Sequence, residues 1–184
     1  MSKQNQLTDT APIAAAGAVV FDRDHVLLVR RANPPRAGEW ALPGGRIKKN
    51  EDPAAAAMRE VHEETGLHIA TPEFVETIEL ASEQHRYLIH DFWAECPGAV
   101  PRPDSDASDA VMAPLSDLAL YSLRPQTQRI IAKAQRMRQS AHYGKHSIVG
   151  HLRTAGIAVI FGLGAYAILW VLMALLRATG FQTF

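Results

Sequence analysis

Glu60, Glu63 and Glu64 are spaced i, i+3 and i+4, and Glu51 stands a short way upstream. On a helix that spacing puts the three carboxylates on one face, where like charges repel. A solvated acidic face is the plain alternative for any such run. A hard divalent cation would relieve the repulsion, and oxygen ligands suit Mg²⁺, with Mn²⁺ as the substitute. Such an ion neutralises phosphate oxygens and orients a water for attack on phosphorus. Gly44 and Gly45, just before, let the chain turn sharply and bring a backbone carbonyl to the same ion.

The element that must carry these carboxylates is a helix over 53–65. Asp52 is suited to cap it, Pro53 to its first turn, and Ala54 to Ala57 are strong helix formers. Gly66 fits the stop, where a left-handed residue is usual. Ala54, Met58, Val61 and Thr65 form a neighbouring, mostly apolar stripe expected to pack on a sheet.

The whole stretch from Gly45 to Leu67, GRIKKNEDPAAAAMREVHEETGL, resembles the Nudix box. The pattern is glycine, five residues, glutamate, seven residues, then Arg-Glu-aliphatic-x-Glu-Glu-x-Gly-aliphatic, and every fixed position is filled. The resemblance implies metal binding by Glu60, Glu63 and Glu64 with a Gly44 or Gly45 carbonyl. It implies structural roles for Glu51, Arg59 and Gly66, with Arg59 pairing Glu51 to tie the loop to the helix. Glu60 is one candidate general base. Family members differ here, and an acid of a later loop is the other: Asp106 or Asp109, in SDASDAVMAPL. Met112 stands where the family often has tryptophan, which weakens any transfer of substrate identity. Trp40-Ala-Leu-Pro-Gly-Gly leads into the box as in other Nudix proteins, with Trp40 a core anchor at the loop base or a stacking surface for a base. Arg30, Arg31, Arg36 and Arg46 are candidates to meet phosphate charge, with surface solvation as the alternative for each.

Around the helix the chain reads as strands. Ile13 to Phe21 and His25 to Arg31 are two strands joined at Asp22 to Asp24. Ala32 to Glu39 is a loop. Phe74 to Leu80 and Tyr87 to Glu95 are two more strands; in the second, Tyr87, Ile89 and Asp91 share one face, with Leu88, Phe92 or Trp93 near the other. Gly98 to Asp109 is an acidic loop, Ala110 to Leu115 a short strand, and Arg124 to Gln139 a closing helix with Ile130, Ile131 and Ala134 toward the core. The expected fold is α+β, which the resemblance narrows to a Nudix-type α/β/α sandwich with a mixed sheet.

The chain has 184 residues and no net formal charge, which argues against broad nucleic-acid binding. Cys96 is the single cysteine, so no internal disulfide forms and a reducing compartment is compatible. The expected organisation is a loose tail at 1–10, without a signal-peptide core, a hydrolase domain at 11–140 and a basic linker at 141–154. A transmembrane helix at 155–176 and a short tail at 177–184 follow. Residues 155–176 carry no charge, and a helix of that length is about 33 Å long, enough to cross a bilayer core. Lys145 and Arg153 precede the span and only Arg177 follows it, an asymmetry that puts the catalytic domain in the cytoplasm. A soluble protein with a buried helix is the alternative. The leading reading is thus a membrane-tethered Nudix hydrolase. It would use Mg²⁺ and water to cleave a phosphoanhydride bond in a nucleoside diphosphate linked to another group, an ADP-ribose-like compound or a nucleoside triphosphate. Its rivals are a nucleotide-sensing module without turnover and a membrane interaction protein with the domain as passenger. Oligomeric state stays open, a dimer included.

Overall fold

The computed structural model describes residues 11–34, 36–81 and 85–142. The expected tail at 1–10, most of the linker, the span at 155–176 and residues 177–184 lie outside the described residues. Among the described residues no helix is long and apolar enough to cross a membrane. The chain separates into two units, Met1–Met137 and Arg138–Phe184, and the first holds the elements that follow.

The central strand is β1, Ile13–Asp22, with β2, His25–Arg31, returning beside its end through a turn in which Arg23 takes a positive φ of 50°. Short strands β3, Trp40–Ala41, and β4, Gly44–Arg46, precede helix α1, Pro53–Thr65. Strands β5, Glu73–Ala81, β6, Arg86–Glu95, and β7, Ala107–Pro114, follow, then a 3₁₀ helix, Leu115–Tyr121. A second α-helix, α2, is described over residues 125–142, its last residues beyond the first unit.

The sheet is mixed and branches at the β1–β2 turn. Parallel pairing joins β1 to β6 from Ile13↔Tyr87 to Phe21↔Glu95, and antiparallel pairing joins it to β4 over Ala15↔Arg46 to Gly17↔Gly44. β5 runs antiparallel to β6. β2 pairs antiparallel with both β3 and β7. A strand buried on both faces must be apolar throughout, which is why β1 reads as Ala and Val rather than alternating. Val19, Val20 and Phe21 are fully buried, and each such side chain contributes about 1.5–3 kcal/mol relative to exposure.

Ala16, Ala18 and Val20 of β1 form one core cluster with Ala56, Ala57 and Val61 of α1. The two-residue period of a strand turns Gly17 and Val19 to the opposite face. Ile130 of α2 lines a cleft there with Gly17 and Asp91. Ile130, Ile131 and Ala134 are buried as expected, and Lys133 Nζ donates to Glu76 on β5 at 2.9 Å. The α/β/α layering expected from the sequence is the layering observed.

Three local expectations need correction. The buried face of α1 is Ala56, Ala57, Val61, Glu64 and Thr65, while Met58 is exposed; the helix is turned so that its carboxylates meet β4. Strand β7 begins at Ala107, because Arg31 pairs with Ala107 across a bulge at Arg30/Arg31; Asp109 is therefore a strand residue, not a loop residue. Trp93 lies on the same side of β6 as Asp91 by strand parity, its ring tilted against Phe21 with centroids 6.5 Å apart. The 3₁₀ helix at Leu115–Tyr121 falls where the sequence pattern assigns no element beyond Leu115.

Candidate active site

Local chemistry sets both ends of α1. Asp52 accepts hydrogen bonds from the Ala54 and Ala55 amides at 2.9 and 3.2 Å. Gly66, at φ 70°, returns its N–H to the His62 carbonyl at 2.8 Å. The positive φ is what Gly66 supplies at little cost.

Arg59 ties the preceding loop to this helix. Its Nε and one terminal nitrogen donate to the two oxygens of Glu51 at 2.7 and 2.9 Å, and the second of these also donates to the Arg46 carbonyl at 3.1 Å. The other terminal nitrogen donates to Glu60 at 2.6 Å and to Glu63 at 2.8 Å. The Arg59 bond, joined by the Lys48 amide at 2.7 Å, holds the Glu51 carboxyl well below the usual range, at about 2. The pairing implied by the resemblance is present, and Arg59 additionally bridges two of the carboxylates assigned to metal.

The three helix carboxylates sit in different surroundings. For Glu63, partial desolvation works upward, but hydrogen bonds and charge from Arg59 and Lys48 outweigh it and hold the carboxyl below its ordinary value. Glu64 is buried and pushed up to about 7, chiefly by desolvation; the Gly44 amide, donating at 3.1 Å, opposes this, and the nearby charge of Glu60 adds to it. Glu60 lies flat against Gly45, where an added β-carbon would stand 2.5 Å from its carboxylate. That closeness leaves room for no side chain at residue 45.

These residues edge a cleft of about 790 Å³. Gly44, Gly45, Glu60, Glu63, Glu64 and Asp106 all line it, as do Arg31, Arg36 and Arg46. Asp106 also accepts from Asn33 at 2.9 Å. Asp109, Arg30 and Trp40 are not among its lining residues. The Asp109 carboxylate accepts from the following amide, Arg30 donates to the Gly38 carbonyl, and Trp40 packs edge-on to Tyr121 at 5.3 Å, as a core anchor would. Among the described residues, Nε of Arg31 is buried without a hydrogen-bond partner.

The donor set suits a hard divalent cation: oxygens only, with Glu60 and Glu63 sharing one guanidinium with Glu51, so that negative charge remains, and Glu64 buried. Among the described residues no three His, Cys, Asp or Glu side chains are drawn close enough to hold a metal as they stand. Arg59 holds one oxygen of Glu60 and one of Glu63, whose other oxygen faces Lys48, so a metal would compete with these contacts.

Among the cleft residues to which the sequence reading gives no role, one is acidic. Asp91, on β6, is buried and lines the cleft on the α2 side. Burial pushes its carboxyl up to about 7, with the Glu76 charge adding and Arg129 opposing. The available signal was an aspartate inside a strand, where that residue type is depleted.

Comparison with known proteins follows the same lines. A family model for the NUDIX domain matches residues 11–134. An RNA pyrophosphohydrolase of Acidiphilium cryptum is 40% identical over 79 residues, 41% of this chain and 43% of that protein. An ADP-ribose pyrophosphatase of Methanocaldococcus jannaschii is 39% identical over 56 residues, 30% of this chain and 33% of that protein. The matched stretch thus spans less than half the length of these curated relatives. In fold, the NUDIX domain of Shewanella oneidensis NrtR complexed with ADP ribose superposes with a TM-score of 0.64 at 24% identity, over 70% of this chain and 89% of that one. A MutT NUDIX hydrolase of Burkholderia pseudomallei superposes with a TM-score of 0.61 at 23% identity, over 67% and 98%. Box, fold and family model agree over the same residues, and the chain belongs to the Nudix family.

Proposed function

We propose that this chain hydrolyses a phosphoanhydride bond in a nucleoside diphosphate linked to another group, with Mg²⁺ (or Mn²⁺) and water. The observation that carries the reading is the convergence of Glu60, Glu63 and Glu64 with the Gly44–Gly45 backbone on a cleft that Arg31, Arg36 and Arg46 also line. When bound, the metal supplies charge neutralisation at phosphate oxygens and activation of the attacking water. Glu60, Glu63 and Glu64 would hold it, with a carbonyl of Gly44 or Gly45. Arg31, Arg36 and Arg46 meet the remaining phosphate charge, and Arg31 has an unpartnered donor for it. Glu60 and Asp106 are the candidates to take the water's proton, and both line the cleft. Relatives named as pyrophosphatases of ADP-ribose and of RNA support the bond class. The test is phosphate-product release from a panel of ADP-ribose, dinucleoside polyphosphates and nucleoside triphosphates, with and without Mg²⁺. Hydrolysis of none of them sinks the reading.

The proposal extends to location. Residues 155–176 span a membrane and hold the domain on its cytoplasmic side, a reading supported by their lack of charge and the basic residues before them. Alkaline carbonate washing of membranes tests this: full-length protein recovered wholly in the wash, without detergent, refutes it.

A further inference from the structure

Asp91 is 5% exposed, yet its carboxyl faces the cleft. Among the described residues no hydrogen bond to its carboxyl is present, and Glu76 and Arg129 are the charged groups that act on it. Its oxygens are not among the fully enclosed unpartnered atoms of the described residues, so they open on the cleft, where a donor on a bound molecule can reach them. The surrounding walls carry Ile78 and Leu80 from β5, Ile89 from β6 and Ile130 from α2, with Tyr87, Gln126 and Thr127 as polar neighbours. A few placed polar groups among apolar walls are how a site orients a planar heterocycle.

Register gives the distance to the carboxylates of α1. Gly17 is the β1 partner of both Asp91 and Gly44, so Asp91 lies two strand spacings, about 10 Å, from the Gly44 backbone beside Glu64. That is the reach from a nucleobase across its ribose to the phosphates. Gly17 makes the approach open: a β-carbon there would stand 2.6 Å from the Asp91 carboxylate.

We infer that Asp91 is a specificity-determining residue that accepts a hydrogen bond from the exocyclic amino group of a nucleobase bound between β5, β6 and α2. The inference rests on the reading of the cleft as a nucleotide site. Of the chemically similar substrates left open above, it selects those whose base carries an amino group, against counterparts that lack it.

The test uses full-length protein and two matched pairs of ligands: AMP with purine riboside monophosphate, and GMP with IMP. Each pair differs by one amino group. Calorimetry should show at least one amino-bearing member binding roughly tenfold or more tighter than its partner, the range of a hydrogen bond to a charged group. Asp91→Leu should bring that ratio to within about twofold. Asp91→Asn, which keeps an acceptor oxygen and the shape, should retain part of it. The ratio is internal to each protein, so a general loss of affinity does not imitate the effect. Equal binding within both pairs by the native chain overturns the inference, as does a ratio unchanged in Asp91→Leu. A ratio present and lost on substitution, in a protein that hydrolyses no member of the substrate panel, would support the base contact and refute the hydrolase reading instead.

Discussion

The Glu60 carboxylate lies against the Cα of Gly45, with no space between them for a β-carbon. This contact joins the backbone turn before α1 to the side chain that Arg59 also holds. Gly45→Ala must push the carboxylate away, because the added carbon would be 2.5 Å from both its oxygens. Glu60 is the free end of a flexible side chain, so the fold should persist. The expected outcome is a fall in kcat of at least ~10-fold with a near-native circular dichroism spectrum. Unchanged kcat would show that Glu60 is not where the chemistry is done.

The Arg59–Glu51 pair predicts an acid-dependent stability. The folded carboxyl titrates at about 2, below its ordinary 4.5, so its stabilisation is present above about 4.5 and is lost as pH falls through about 2. Glu51→Gln should therefore cost about 1–2 kcal/mol at pH 7, discounted for partial exposure. The gap in urea midpoints between variant and native chain should narrow steadily below pH 4.5. A gap independent of pH would mean that packing, not the ion pair, holds the loop.

Asp106 and Asp109 separate the two assignments of the base. Only Asp106 reaches the cleft, while Asp109 is hydrogen-bonded to the next amide within β7. Asp109→Asn should leave kcat within about twofold. If Asp106 takes the proton, Asp106→Asn should lower kcat by ~10²-fold or more with little change in nucleotide affinity. A mild effect from Asp106→Asn returns the role to Glu60.

How much of this could be read before the structure depends on how local each feature is. The bounds and caps of α1 follow from Asp52, Pro53 and Gly66, which act on their own neighbours, and they were legible. The Arg59–Glu51 tie was legible through the resemblance alone, since its partners stand eight positions apart in the chain. Met58 was misplaced because three adjacent contacts, from Arg59, Glu60 and Glu64, set the helix rotation, and an apolar count cannot see them. Asp91 gained its meaning only from the parallel β1–β6 pairing, which brings residues far apart in sequence to Gly17 and, through it, to Gly44. The start of β7 was hidden by a bulge, which carries no composition signal at Arg30 or Arg31.

The central claim is metal-assisted attack of water on phosphorus, organised by the carboxylates of α1. The most direct measurement is hydrolysis of the best panel substrate in ¹⁸O-labelled water at saturating Mg²⁺, by the native chain and by Glu63→Gln and Glu64→Gln. Both substitutions keep size and remove charge. In Glu64→Gln the new amide oxygen can still accept the Gly44 hydrogen bond, so both variants should fold. The account predicts label in one phosphoryl product of the native reaction and kcat lower by at least ~10²-fold in each variant. Near-native rates in both variants, or label found only on carbon, would contradict it.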